Sequence, residues 1–193
     1  MDHARKLLRT DRLVLKAPDS ADATAVVDFY ARNAAHFARW NPPLPEDHAT
    51  TERVRQALAV CAEAFALGNS LRWWLHPVRM PARVIGSVHC STLVRGAFHS
   101  ANLGYALDGG WQGHGLMDEA LRAVIAEVFS PRVNLHRLQA GIQPDNQRSL
   151  AVVRRLGFSD IGLARRYLYI AGAWRDHLLY EHLNPEFIAP DAW

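Results

Sequence analysis

The sequence predicts an α/β domain of the mixed (α+β) kind, a largely antiparallel central sheet flanked by helices. Three features predict it. Apolar side chains at 116, 117, 120, 121, 124, 125 and 128 form the stripe of a helix buried along one face. Short apolar segments follow one another across glycine turns, which favours antiparallel neighbours. Two further segments flank Gly172, a hairpin signal. Composition agrees, because 49% hydrophobic and 21% charged residues over 193 positions suit one packed domain. A chain of this length buries roughly 70% of its unfolded surface and needs no metal or disulfide to hold a core.

The elements follow in order. Residues 8–16 read as a strand, with Leu13 and Leu15 alternating against Arg12 and Val14. Asp19 or Ser20 can cap a helix that ends near His36. A second helix covers residues 51–67 and stops before Gly68-Asn69. Between them, Asn41-Pro42-Pro43-Leu44-Pro45 is a loop rather than a domain boundary. Strands are expected at 71–78, 84–93 and 101–107, with a turn at Arg95-Gly96. The helix of residues 116–129 sets Asp118, Glu119, Arg122 and Glu127 on its polar face. Asp118 and Glu119 lie in its first turn, where the dipole favours acids. A strand at 136–143 stops at Pro144. A short helix runs over 146–156, with Gly157 at its C′ position. Strands at 164–170 and 174–183 complete the sheet. One domain over 1–193, with a short tail from about residue 185, is expected.

Several functional classes drop out. Cys61 and Cys90 form no CxxC pair and are too few for a disulfide framework, so reduced thiols and a cytoplasmic setting are expected. Residues 1–12 carry charges without the apolar run of a secretory signal. No apolar stretch approaches the roughly 20 residues of a membrane helix. The formal charge is +3 and the basic residues are scattered, with Arg154-Arg155 and Arg165-Arg166 only as short pairs. That balance permits an anionic ligand without calling for nucleic acid. The ten histidines include no HExxH and no Cys/His pair at zinc spacing. His177 and His182, five apart on a strand, face opposite sides, so no metal is expected.

The informative segment is Leu103-Gly104-Tyr105-Ala106-Leu107-Asp108-Gly109-Gly110-Trp111-Gln112-Gly113-His114-Gly115-Leu116-Met117. A strand feeds a glycine turn that opens a helix. Unpaired N–H groups and the helix dipole make such a start a phosphate site. Gly113 and Gly115 let the backbone approach a ligand closely. A Walker loop is absent, and the dinucleotide pattern fails at Asp118, where an acid would repel phosphate. Taken alone, the pattern also suits an ordinary strand-to-helix turn. Some thirty residues on, Asn146-Gln147-Arg148-Ser149 opens a short helix, with Asn146 and Ser149 on one face. Asn146 reads as an N-cap, as a ligand-holding amide, or as both.

Together these motifs resemble the GNAT (Gcn5-related) N-acetyltransferases. Gln112-x-x-Gly115 is similar to the family's pyrophosphate loop, written Q/R-x-x-G-x-G/A. Met117 replaces the last small residue, a departure familiar in the ribosomal-protein branch. Asn146-x-x-Ser149 is similar to the family's N-x-x-S step. The stretches Val94-Arg95-Gly96-Ala97-Phe98-His99 and Trp174-Arg175-Asp176-His177 extend the likeness to members that acetylate the N-terminal alanine of ribosomal protein S5. The resemblance runs from about residue 8 to the C-terminus, and is densest over 94–117 and 144–177.

The resemblance implies a GNAT fold with a splayed strand pair, 103–107 against 136–143. It implies acetyl-CoA as co-substrate, held by Tyr105, Ala106, Leu107, Gln112, Gly113, His114, Gly115, Leu116, Met117, Asn146 and Ser149. The acceptor would be a protein N-terminus, that of S5 or one like it, attacking directly in a ternary complex. Asn146 would hold the pantetheine arm, and N–H groups near Tyr105 to Leu107 would polarise the thioester. Ser149 would donate to the departing thiolate. An α-amine of pKa about 8 is roughly one-tenth neutral at pH 7, so a modest base suffices. Relatives that use a late glutamate have no counterpart here around residues 167–170, and His99 is the candidate. His99 also suits a plain turn residue. Trp40, Phe98, His99 and Tyr169 are the candidates for the acceptor groove. Trp174-Arg175-Asp176-His177 reads as hairpin packing plus an ion pair. Trp73 and Trp74 read as core or rim. A monomer or a homodimer is expected. Two other readings stay open: an acetyltransferase of small amines, and a non-catalytic CoA-binding module.

Overall fold

A computed structural model describes residues 4–42 and 50–190. Strands β1 (Leu7–Arg9) and β2 (Leu13–Lys16) form a hairpin, followed by a 3-10 turn at Ser20–Asp22 and helices α1 (Ala23–Ala38) and α2 (Thr51–Ala66). Then come β3 (Leu71–Pro77), β4 (Gly86–Val94), β5 (Ser100–Leu107), a 3-10 turn at Gly109–Trp111, and α3 (Leu116–Phe129). Strand β6 (Arg137–Ile142), α4 (Gln147–Arg155), β7 (Ser159–Ile170) and β8 (Ala173–Leu183) complete the order. The sheet runs β1-β2-β3-β4-β5-β6-β8-β7. Every pairing is antiparallel except β5 with β6.

Helix α3 has the expected bounds, because its apolar stripe packs the sheet: Ala120, Leu121, Val124 and Val128 have no exposed surface. The same core takes Leu150 and Val153 of α4, with Trp73, Leu103, Leu138 and Tyr180 from the strands. A second cluster joins Val26 and Phe29 of α1 to Val54 and Leu58 of α2 over Trp74 and Val84. Odd-numbered residues of β5, 101, 103 and 107, therefore face α3, while Gly104 and Ala106 face the other way.

Five expectations change. Residues 8–16 are two strands, because the Thr10 backbone N–H donates to the Leu13 carbonyl and the Leu13 N–H to the Thr10 hydroxyl, closing a turn. Asp19 caps the 3-10 turn by accepting from the Ala21 N–H, rather than capping α1 itself. Glu127 is buried, its carboxylate accepting from the Arg5 backbone N–H at 2.6 Å. Strand β7 begins at Ser159 rather than 164, its residues mostly exposed on the sheet edge. Neighbouring strand residues point to opposite faces, so Arg175 and Asp176 form no pair. Arg175 donates to the carbonyls of Ile170 and Ala171, and Asp176 accepts from the Arg166 N–H, which pins the hairpin. The proline-rich loop falls mainly on residues 43–49, outside the described residues.

Candidate active site

Parallel pairing of β5 with β6 stops at Asn102 and Gln139. Beyond it the strands separate, and the edge of β5 from Leu103 to Leu107 faces a gap. A cleft of about 1050 Å³ opens there, among the end of α1, the end of β5, the glycine turn and the start of α4. That is the size of a large cofactor site.

One wall is the turn into α3. Gly113 and Gly115 have φ of 82° and 72°, a left-handed geometry that favours glycine. The first helical backbone bond is from Glu119 N–H to Gly115 carbonyl. Among the described residues, the N–H groups from Gly113 to Asp118 donate to no protein acceptor. Six consecutive free donors at a helix start, beside open space at Gly113, fit a pyrophosphate. Leu116 and Met117 are buried in the core, so only their backbone faces the cleft. His114 is exposed; its carbonyl accepts from Arg12 at 2.8 Å. Arg12 also pairs with Glu119 at 2.6 Å, which brings a cation to the turn. Asp118 is held by a two-pronged contact with Arg155, at 2.8 and 3.0 Å, so its charge is offset.

Gln112 spans the cleft floor. Its carbonyl accepts from Arg148 at 2.6 Å, and its amide donates to His36 Nε2 and to the Leu107 carbonyl. The side chain thus ties α1, β5 and α4 together. At the opposite wall, Asn146 Oδ1 accepts from the Ser149 N–H at 3.2 Å, the N-cap bond. Its amide N–H₂ has no partner among the described residues and remains available. Ser149 Oγ lies 2.6 Å from the Tyr105 hydroxyl, whose one O–H goes either to Oγ or to the Ser149 carbonyl at 3.2 Å. Burial pushes the Tyr105 phenol up to about 12, so it stays protonated.

At the rim, the Arg39 guanidinium lies 4.5 Å from the Trp40 ring centre and pairs with Asp145 at 2.7 Å. The hydrogen bond from Arg39 holds the Asp145 carboxyl below its ordinary range.

The structure brings together Trp40, Tyr105, Ala106, Leu107, Gln112, Gly113, Gly115, Leu116, Met117, Asn146 and Ser149 around this cleft, with His114 in the turn beside it. It does not bring Phe98 or His99 there. Both precede β5, at the end away from the cleft, and His99 contacts Arg95 and the Phe187 ring. The tail residues 185–190 cover that same end, with Ile188 bonded to Asn134. Tyr169 packs against Trp174 in the β7–β8 hairpin, outside the cleft lining. Arg12, His36, Arg148 and Arg155 are additions the sequence did not single out. Among the described residues, no group of three or more His, Cys, Asp or Glu is arranged to hold a metal, and no helix is long and apolar enough to cross a membrane.

Comparisons with known proteins bear on this geometry. The family model described as "Acetyltransferase (GNAT) domain" matches residues 12–159. The [ribosomal protein uS5]-alanine N-acetyltransferase of Escherichia coli (strain K12) is 36% identical over 93% of this chain and 92% of its own length. The crystal structure of ribosomal-protein-S5-alanine acetyltransferase from Vibrio fischeri superposes with a TM-score of 0.90 at 31% identity, over 95% of this chain and 99% of that one. Mycobacterium smegmatis RimJ in complex with CoA-disulfide gives a TM-score of 0.83 at 27% identity, over 92% and 84% of the two chains.

Proposed function

The chain belongs to the GNAT acetyltransferase family, and from that premise we propose that it acetylates a protein N-terminus, the alanine α-amine of ribosomal protein S5 or of a protein that begins like it, using acetyl-CoA. One observation carries the cofactor assignment: the run of unpartnered N–H groups from Gly113 to Asp118 at the end of a strand that has parted from its neighbour. Likeness to the S5-directed relatives over nine-tenths of the chain supports the acceptor. Such an enzyme works as one catalytic domain in the cytoplasm.

Acetyl-CoA supplies an activated thioester. The residues of this chain do the rest in a ternary complex. The N–H groups of the turn hold the pyrophosphate, and Asn146 donates its free amide to the pantetheine arm. Backbone N–H on the open edge of β5, near Tyr105 to Leu107, stabilises the negative charge developing on the thioester oxygen. Ser149 donates to the departing sulfur. Its hydroxyl is a weak acid, and the 2.6 Å contact with Tyr105 supplies a second donor behind it. The acceptor groove lies beside Trp40, Arg39 and Asp145.

The test is thiol release from acetyl-CoA with three acceptors: an S5 peptide beginning with alanine, the same peptide with a blocked N-terminus, and spermidine. Turnover with the first alone supports the reading. Turnover with spermidine alone would make the protein a small-amine acetyltransferase. Binding without turnover would make it a CoA-binding module.

A further inference from the structure

The proposed reaction lacks a proton acceptor, and the cleft does not contain His99. The face of the sheet opposite α3 offers one. Two residues beyond the last β5–β6 pair stand Gly104 on β5 and Gly141 on β6. Both are exposed, and both point away from α3. A side chain at Gly104 would meet nothing within 4 Å, so the β5 side of the gap is open to an acceptor, while Gly141 on the β6 side lies under side chains of β7 and β8.

His177 of β8 borders that opening. A side chain on Gly141 would meet Tyr167 Cε1 at 3.4 Å, Leu179 Cδ2 at 3.5 Å and His177 Cδ2 at 3.8 Å. The Cδ2 edge of the imidazole therefore leans over Gly141 of β6, the strand that borders the gap. Its Nδ1 is 3.1 Å from the Arg175 carbonyl. A carbonyl only accepts, so Nδ1 carries the proton and Nε2 presents a lone pair. Nε2 has no hydrogen bond among the described residues, and it is not among the buried polar atoms sealed without a partner. The Tyr167 ring, 5.5 Å away, fixes the imidazole from the β7 side.

We propose that His177 Nε2 takes the proton from the acceptor α-ammonium, directly or through one water, as the amine attacks across the Gly104–Gly141 opening. The N–H bond of the ammonium breaks and Nε2 gains that proton. The amine lone pair forms the C–N bond, the nitrogen sheds its second surplus proton to solvent as the C–S bond breaks, and the sulfur takes a proton through Ser149, which solvent restores. The imidazolium then releases its proton to solvent. This rests on the N-acetyltransferase reading above and adds the base it lacked.

The surroundings suit the role. Burial lowers the imidazole below its ordinary pKa, opposed by the Arg175 carbonyl and by Asp176, so the ring is neutral at pH 7 and ready to accept. Asp176 on its own strand is the charge that acts on the ring, the Tyr167 ring packs on it from β7, the Arg175 guanidinium is held by the Ile170 and Ala171 carbonyls, and Gly141 and Leu179 bring no charge.

His177→Asn tests it, because an Asn amide can keep the donation to the Arg175 carbonyl while removing Nε2. With the alanine peptide, kcat should fall about tenfold or more at pH 7, where only about a tenth of the amine is neutral. Acetyl-CoA affinity should not change. The ratio of wild-type to variant rate should shrink as pH rises to 9, because solvent then deprotonates the amine unaided. A ratio independent of pH, or a variant with wild-type rate at pH 7, would overturn the proposal. A second measurement needs neither variant nor acceptor: ¹⁵N NMR of the His177 ring in the wild-type protein. A proton on Nδ1 alone at pH 7 is expected, and a proton on Nε2 would overturn the assignment. Wild-type protein that binds acetyl-CoA but ignores the peptide would refute the acceptor reading, and the ring spectrum would still decide His177.

Discussion

Asn146→Asp separates a capping residue from a ligand-holding one. In the structure Asn146 does two things with two atoms. Its Oδ1 caps α4 by accepting from the Ser149 N–H at 3.2 Å, while its amide N–H₂ faces the cleft unpartnered. Aspartate keeps the first and removes the second. It caps about as well as asparagine, and a negative charge at a helix N-terminus is favoured by a few tenths of a kcal/mol. The ligand-free protein should therefore melt within about a degree or two of wild type. Losing a donor to a buried carbonyl costs about 1–3 kcal/mol, roughly 5- to 150-fold in affinity for acetyl-CoA. Asn146→Ala is the complement. It loses the cap as well, so its stability should drop by about 1 kcal/mol alongside the affinity. Thermal melts without ligand and calorimetric titration with acetyl-CoA read the two effects separately. An aspartate variant that binds acetyl-CoA as tightly as wild type would refute the ligand role and leave only the cap.

Other perturbations follow from the same geometry. Ser149→Ala should lower kcat about 10- to 100-fold with little change in acetyl-CoA affinity, because Tyr105 keeps its bond to the residue-149 carbonyl and the fold loses nothing else. Tyr105→Phe should give a smaller loss, and steady-state kinetics of the double variant should be less than additive if the two hydroxyls act in series. Gly115→Asp should abolish acetyl-CoA binding by calorimetry while circular dichroism stays native. A side chain there meets only Arg12 Nη2, at 3.7 Å, and the left-handed backbone costs about 1–2 kcal/mol. The His89 imidazole is pushed down to about 4 by burial and by the Arg72 guanidinium, so the folded form prefers it neutral. The unfolded chain takes that proton first, near pH 6.5. Stability present above pH 6.5 should thus be lost progressively as pH falls toward 4. Denaturant melts across that range should show the slope, reduced in His89→Gln.

Legibility in the sequence followed the physics of each element. Helix α3 was fully legible, because its stripe is continuous and its start is marked by glycine. The glycine turn and Asn146–Ser149 were legible because their chemistry is local. The first hairpin was not, because Thr10 closes a turn with its own side chain inside what looks like continuous alternation. Glu127 reads as a surface acid on a helical wheel, and only the arrival of Arg5 from 122 residues away explains its burial. The cleft's cross-links are likewise non-local: Arg12 with Glu119, Gln112 with His36, Arg148 with Gln112. His99 looked suitable because it precedes a cleft strand, but it precedes the wrong end. His177 was legible only as a hairpin residue, since its meeting with Gly141 depends on the β6–β8 register.

The most direct test of the central claim is where the acetyl group goes. The protein is incubated with acetyl-CoA and an S5 peptide that begins with alanine and also contains lysine, and the product is sequenced by tandem mass spectrometry. One acetyl group on the α-amine, with coenzyme A released in equal amount, is the predicted result. Acetyl on the lysine side chain, or an unmodified peptide in the presence of bound acetyl-CoA, would contradict it.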